Sequence, residues 1–281
     1  MTKTVLITGC SSGVGKSTAR HFVAQGWNVV ATMRTPHPEL ADERPERILV
    51  QPLDVSDPES IDIAIDAGIR RFGGLDAVVN NAGVTMVSIF EATPPDAARR
   101  IFETNLFGVM NVTRAALPKM RAQGGGTIVN VTSGVGFVAV PLLSLYVASK
   151  HAVEGLSESL SYELESQNIR IKLVEPGAIR TTNFSASGMA LSQEAPVPQE
   201  YRAYFDHALQ SMINYPFEST DEHAVVETIY RAANDPSLRL RYIVGPDIEE
   251  YARLRWSTSE EDYAAGMSRI TGQVAWRAMA K

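Results

Sequence analysis

A tyrosine and a lysine in the segment YVASK are the residues of this chain best suited to proton chemistry. Tyr146 and Lys150 lie four residues apart, so on a helix they share one face. A cation beside a phenol favours the phenolate, and we therefore expect Lys150 to lower the pKa of Tyr146 from its ordinary value of about 10. The pair would then exchange protons near neutral pH. Because this spacing also arises by chance, the interpretation depends on other residues.

Two further polar residues could complete such a site. Ser133 ends the segment TIVNVTS, and a hydroxyl at a strand end could hold a carbonyl oxygen while Tyr146 donates a proton to it. The alternative for Ser133 is an ordinary turn residue. Asn105 lies in TNLFG within a helical stretch, where a buried asparagine needs partners. It could satisfy backbone groups or hold a water molecule.

The segment GCSSGVGKST could hold a phosphate in one of two ways. The P-loop of nucleoside triphosphatases requires G-x-x-x-x-G-K-[ST], but Cys10 occupies the place of its first glycine. The segment also reads T-G-x-x-x-G-x-G, with Gly9, Gly13 and Gly15 between a strand and a helix. Such glycines let the backbone approach a pyrophosphate at a helix N-terminus, or they simply make a turn.

The segment NNAG, at residues 80–83, follows another apolar strand. We expect Asn80 to tie neighbouring backbone segments together and Gly83 to permit the close approach of a ligand. Like the glycine-rich segment, NNAG lies at a strand end, where ligands bind to parallel sheets.

The apolar runs that carry these motifs predict a parallel sheet. They are continuous rather than alternating, which is typical of strands buried on both faces. The predicted strands are 4–8, 28–32, 48–52, 77–80, 127–132, 170–175 and 241–244, and the predicted helices are 15–25, 58–72, 94–120 and 146–167. Strands and helices in alternation indicate an α/β fold with a Rossmann-like, doubly wound sheet and helices on both faces.

Composition narrows the class of protein further. The 281 residues carry a net charge of −6 without a long basic run, which argues against a nucleic-acid partner. The single cysteine, Cys10, permits no internal disulfide and fits a reducing compartment, so we expect a cytoplasmic protein. Residues 124–149 lack charge, but their glycines and Pro141 predict a strand, a loop and a helix rather than a membrane span. We expect one domain over residues 1–281.

Taken together and in this order, the motifs resemble those of the short-chain dehydrogenase/reductase family. The matching segments lie within residues 4–182, followed by the late strand RYIV: TGCSSGVG, NNAG, Asn105, Ser133, YVASK and PGAIRT (176–181). The resemblance implies a sheet that binds NAD(P) and a catalytic tetrad of Asn105, Ser133, Tyr146 and Lys150. By this resemblance, the tyrosine is the acid/base and the serine holds the substrate oxygen in place. The lysine lowers the tyrosine pKa and bonds the nicotinamide ribose, while the asparagine holds a water. Within the family, the segments TGCSSGVG and ATMR look like those of the branch that contains steroid- and retinol-type dehydrogenases.

The end of the second predicted strand bears on the choice of cofactor. NAD-dependent sites place an acid there to bind the ribose 2′-hydroxyl, whereas this chain has Met33 followed by Arg34. A guanidinium binds the 2′-phosphate that an acid would repel, so we predict NADP(H); the alternative for Arg34 is a solvated surface residue. Asp54 resembles the family's adenine-edge residue but could equally cap a helix, as could Ser56. The predicted cofactor-binding residues are Gly9, Ser11, Ser12, Gly13, Val14, Gly15, Arg34, Asp54, Val55, Asn81, Ala82, Gly83, Tyr146, Lys150, Pro176, Gly177, Ile179 and Thr181.

Apolar residues around the predicted tetrad bear on the substrate. Val135, Leu143 and Phe184 would suit a bulky, mostly apolar ketone or secondary alcohol, or such residues could simply pack on the core. By resemblance, residues 183–218 form a substrate lid and copies of the chain form a homodimer or homotetramer; residues 246–281 are a C-terminal extension. We therefore expect an NADP(H)-dependent oxidoreductase with a small-molecule substrate and no metal site. The alternative is a non-catalytic NADP(H)-sensing protein on the same fold.

Overall fold

A seven-stranded parallel sheet forms the centre of the protein. The computed structural model describes residues 2–179, 188, 191–193 and 195–279. The strands are β1 (Thr4–Thr8), β2 (Asn28–Met33), β3 (Ile48–Pro52), β4 (Ala77–Asn80), β5 (Gly126–Val131), β6 (Ile169–Pro176) and β7 (Arg241–Val244). Their order is β3-β2-β1-β4-β5-β6-β7, and every neighbouring pair is parallel. The predicted α/β doubly wound sheet is confirmed, and all seven predicted strands lie within a residue or two of the observed bounds.

Helices cover both faces of the sheet. They are α1 (Gly13–Ala24), α2 (Pro38–Asp42), α3 (Pro58–Phe72), α4 (Pro95–Phe102), α5 (Gly108–Ala122), α6 (Ser144–Glu165), α7 (Arg202–Ile213), α8 (Glu222–Asn234), α9 (Pro246–Ser257), α10 (Glu260–Ile270) and α11 (Gln273–Met279). None of the helices in this described part of the chain has the length and apolar character to cross a bilayer.

The strands alternate their side chains between two apolar layers. Val5 and Ile7 of β1 pack on one face with Phe22 of α1 and Ile229 of α8. Leu6, which points the other way, joins residues of α3, α5 and α6 in the second layer. Because helices cover both faces, the central strands have no side that faces solvent, and this explains the continuous apolar runs in the sequence.

The prediction of one continuous helix over residues 94–120 is wrong. A π-helical turn, Glu103–Phe107, separates α4 from α5. Such a turn inserts an extra residue into the helix, and it is often found at functional positions. Asn105 lies inside it and bonds across to a neighbouring segment. Helical periodicity predicts neither the interruption nor these distant partners.

The C-terminal helices pack on the loop that follows β5. Ile248 of α9 is buried against Gly134, where an added Cβ would lie 1.9 Å from the isoleucine Cδ1. Phe137 stacks on Trp256 with ring centroids 4.6 Å apart. The chain beyond β7 therefore supports the same edge of the sheet that carries Ser133.

Candidate active site

The predicted site residues lie at one edge of the sheet. All strands are parallel, so their carboxyl ends meet at that edge, and the strand order reverses between β1 and β4. Ligands of open α/β sheets bind in the crevice at such a reversal. The glycine-rich loop follows β1, NNAG spans the end of β4, and Ser133 follows β5. Pro176 is the last residue of β6, and the Gly177 N–H donates to the Val244 carbonyl of β7 at 2.9 Å.

The glycine-rich loop leaves room for a ligand by excluding side chains. Gly9 and Gly13 have φ values of 75° and 51°, which favour glycine. A Cβ at Gly15 would lie 2.2 Å from the Gly9 carbonyl oxygen. Ser12 precedes α1 with extended backbone, and its side chain does not cap the helix. The N-terminal amides of α1, together with exposed Ser11, can therefore bind a pyrophosphate, so the loop fits a dinucleotide.

Asn81 and Thr8 hold this loop against the end of β4. The Asn81 amide donates to the carbonyls of Thr8 and Gly9 at 2.9 and 3.3 Å. In return, the Thr8 hydroxyl accepts from the N–H groups of Asn81 and Ala82, both at 3.0 Å. The sequence assigned such a role to Asn80, and that assignment is wrong. Asn80 is buried and donates to the side chains of Asn130 and Thr113 instead.

The region next to β2 and β3 contains the residues predicted to contact the adenosine half. Met33 ends β2 and is buried, while Arg34 is exposed. Asp54 accepts from both the N–H and the hydroxyl of Ser56, and these bonds, with the nearby Arg34 charge, hold its pKa below the ordinary value. The helix cap is Asp57, whose carboxylate accepts from Glu59 N–H, so neither Asp54 nor Ser56 caps α3.

Ser133, Tyr146 and Lys150 come together between β5 and α6. Tyr146 is buried, and Ser133 is close enough for its side chain to influence the tyrosine pKa. The Lys150 Nζ lies 5.7 Å from the centroid of the Tyr146 ring and donates to the Val131 carbonyl at 3.0 Å. Gly83 is close by, since a Cβ on it would lie 3.9 Å from Lys150 Nζ.

The expected lowering of the Tyr146 pKa is wrong for this structure. Burial raises the pKa of Tyr146 to about 12, and the polar side chain of Ser133 opposes this only in part. Burial also lowers the pKa of Lys150 to about 8, against the attraction of Glu154. Because desolvation disfavours the charged form of both groups, Tyr146 is held as a neutral phenol, which is a proton donor.

Asn105 is engaged by protein groups. Its Oδ1 accepts from Val84 N–H at 2.8 Å, and its Nδ2 donates to the Val84 carbonyl at 2.9 Å and to the Ser149 hydroxyl at 3.0 Å. The sequence left two roles open for Asn105, and these contacts show that its side chain satisfies the backbone groups of Val84. The π-helical turn thereby holds the segment after NNAG against α6.

The remaining predicted residues have mixed surroundings. Val14 and Ile179 pack against the apolar layer of the β1 face, and Val55 is buried. Val135 and Leu143 are half-buried beside Ser133 and at the start of α6. Thr181 and Phe184 lie outside the described residues. Leu142, next to Leu143, is buried with a φ of 64°, a conformation unfavourable for a bulky residue.

Comparisons with known proteins identify the family. A family model described as short chain dehydrogenase matches residues 3–190. Uncharacterized oxidoreductase YusZ of Bacillus subtilis (strain 168) is 37% identical over 260 residues, covering 88% of this chain and 90% of that protein. The structure of ElxO with NADP bound has a TM-score of 0.71 at 30% identity, covering 86% of this chain and 98% of that one. A short chain dehydrogenase/reductase from Burkholderia phymatum in complex with NAD has a TM-score of 0.78 at 25% identity, covering 90% and 92%. The chain therefore belongs to the short-chain dehydrogenase/reductase family of oxidoreductases.

Proposed function

We propose that the protein is an NADP(H)-dependent oxidoreductase that interconverts a ketone and a secondary alcohol. The observation that carries this proposal is the buried Tyr146, which lies beside Ser133 and Lys150 at the edge that carries the glycine-rich loop. When bound there, NADPH would supply a hydride to the carbonyl carbon. The protein then has to supply one proton to the oxygen.

Tyr146 would supply that proton in the reduction direction. The Ser133 hydroxyl, which lies beside Tyr146, would hold the carbonyl oxygen within reach of the phenol. The positive charge of Lys150 would stabilise the phenolate that remains after the transfer. In the oxidation direction the phenolate would take the proton back from the alcohol. One hydride and one proton account for the conversion of ketone to alcohol.

Arg34 supports NADP(H) over NAD(H) because it follows β2 directly and is exposed. One structural neighbour holds NADP and another holds NAD, so the preference depends on this chain's own residues. A guanidinium–phosphate contact contributes about 1.5–3 kcal/mol. We expect Arg34→Ala to weaken NADP⁺ binding about tenfold to hundredfold and to leave NAD⁺ binding unchanged.

A thermal-shift titration with NADP⁺ and NAD⁺ measures this preference, because a ligand stabilises the folded state according to its concentration relative to Kd. Arg44→Ala is the matched control, since Arg44 is also exposed and lies shortly before β3. A wild type that prefers NAD⁺ would contradict the assignment of Arg34. NADP⁺ binding without turnover of any ketone or alcohol would support the NADP(H)-sensing alternative.

The substrate class proposed is a bulky, mostly apolar ketone. Val135 and Leu143 flank the predicted tetrad. Part of the predicted lid, at Tyr204, Phe205 and Leu209 of α7, packs against Ile89 and Leu142 rather than standing free. A panel of ketones of increasing apolar size, assayed for NADPH oxidation, tests the proposal. The lid and the homodimer or homotetramer stay predictions.

A further inference from the structure

A cluster of buried charges lies one helical turn beyond Lys150. Glu154 of α6 and Glu175 of β6 have side chains 7% and 0% exposed, and both face Arg241 of β7. The Arg241 Nη2 lies 3.4 Å from Glu154 Oε2, and its Nε lies 3.3 Å from Glu175 Oε1. The same guanidinium donates to the half-exposed Glu158 at 3.0 Å. Three carboxyl groups therefore share one arginine.

The hydrogen bonds of the two buried carboxyls are incomplete. The Thr132 hydroxyl donates to Glu154 Oε1 at 2.6 Å. Within the part of the chain that the structure describes, no donor is aligned with Glu154 Oε2 or with either oxygen of Glu175. Two ionised carboxylates cannot bond to each other, and burying both beside one shared cation is costly. A single proton removes the conflict, because a protonated carboxyl can donate to its ionised neighbour.

The charged and polar groups that face this cluster come from four elements. They are Thr132 after β5, Lys150, Glu154 and Glu158 of α6, Glu175 of β6 and Arg241 of β7. Burial raises the pKa of both carboxyls, but the Thr132 hydroxyl opposes this at Glu154, whereas the charge of Glu154 reinforces it at Glu175, whose pKa rises to about 9. Glu175 therefore carries the proton near neutral pH. Glu154 acts in the opposite sense on Lys150, because its charge opposes the effect of burial on the lysine pKa.

We propose that Glu154 is a positioning residue that keeps Lys150 positively charged, and that Glu175 holds the one proton which this carboxyl pair shares. The inference rests on the proposed function insofar as Lys150 acts in the reaction. It assigns the two glutamates a task beyond packing, since uncharged side chains of similar size would fill the same space without supporting the lysine charge.

The dependence of kcat/KM on pH tests the role of Glu154. In Glu154→Gln, Lys150 loses the negative charge that favours its protonated form, so the decrease of kcat/KM at alkaline pH begins at a lower pH than in the wild type. Each pH unit by which this decrease moves lowers kcat/KM at a given alkaline pH about tenfold. In Glu175→Gln an amide N–H donates to Glu154 in place of the shared proton, so Glu154 stays ionised and the fall keeps its wild-type position. Glu158→Gln is the matched control, because Glu158 contacts the same arginine from the surface and leaves the profile unchanged. A Glu154→Gln profile that coincides with the control would overturn the proposal.

Two readouts that do not require turnover test the shared proton. Infrared difference spectra of wild type against Glu175→Gln at neutral pH should show a protonated carboxyl band in the wild type alone.

The pH dependence of stability is the second readout. Because Glu175 has a pKa of 4.5 in the unfolded chain and about 9 when folded, folding takes up a proton between these pH values. The wild type should then lose stability relative to Glu175→Gln as the pH rises through this window. If the band is absent, or if the stability difference between wild type and Glu175→Gln stays constant over this pH window, the proposal that the pair shares a proton is overturned. A wild type inactive on every ketone would contradict the proposed function instead.

Discussion

The two halves of the site edge are held together by different kinds of bond. At the β1–β4 half, the bonds run to backbone groups: Asn81 donates to two carbonyls, and the Thr8 hydroxyl accepts from two N–H groups. From the end of β4 into the β5–β7 half, buried side chains bond to one another as well as to backbone carbonyls. Asn80 donates to Asn130, Asn130 donates to Ser157, and Thr132 donates to Glu154.

This difference fits the tasks proposed for the halves. A pyrophosphate is recognised by backbone amides at a helix N-terminus, so the first half needs close backbone approach more than it needs special side chains. Proton transfer needs side chains whose pKa values depend on their neighbours, so the second half needs buried polar partners. Substitutions in one half should therefore affect binding, and substitutions in the other should affect chemistry or stability.

The largest expected effect comes from Tyr146→Phe, which removes only the hydroxyl. We expect turnover to fall on the order of 10²–10⁴-fold, the usual contribution of a general acid, with NADP⁺ thermal shifts retained. Tyr162→Phe on the same helix is the control, because Tyr162 is 72% exposed. Near-normal turnover by a folded Tyr146→Phe protein would refute the assigned role.

Gly15→Ala should have the next largest effect, and it acts on the other half. The added Cβ would lie 2.2 Å from the Gly9 oxygen and 2.5 Å from Asn81 Nδ2, so the loop must shift. Overpacking of this kind costs about 1–3 kcal/mol, and we expect both Tm and the NADP⁺ thermal shift to fall. The control is Gly155→Ala, a helical site where a Cβ meets nothing within 4 Å and where alanine should stabilise by up to about 1 kcal/mol. Unchanged NADP⁺ binding by Gly15→Ala would show that the loop does not hold the cofactor.

Asn130→Ala should lower stability without changing cofactor affinity. It leaves the buried Asn80 amide and Ser157 hydroxyl without their shared partner, at a cost of about 1–3 kcal/mol. Denaturant unfolding of this variant and of Asn214→Ala, at an exposed position after α7, measures the difference. An Asn130→Ala protein as stable as the control would show that the side-chain network contributes little.

The same distinction explains what could be predicted from the sequence. Backbone-based geometry needs glycine at fixed positions, so the loop at Gly9, Gly13 and Gly15 leaves a local pattern, as do the apolar strands. The link from Asn80 to Asn130 spans 50 residues and exists only because β4 and β5 pair in one register. The Tyr146 pKa was predicted in the wrong direction for a similar reason, since a sequence shows the nearby lysine but not the extent of burial.

The packing of α9 on the loop after β5 has a consequence for biosynthesis. A ribosome releases β1 to β5 and α6 before Arg241 and Ile248 have been added to the chain. Until then Gly134 lacks its apolar cover, and the two buried glutamates lack their cation. Because domains begin to fold from the N-terminus during synthesis, the glycine-rich loop can form early, whereas the edge around Ser133 is completed only when the last part of the chain arrives. A nascent chain would in that case acquire the loop proposed to bind phosphate before it completes the site proposed to transfer protons.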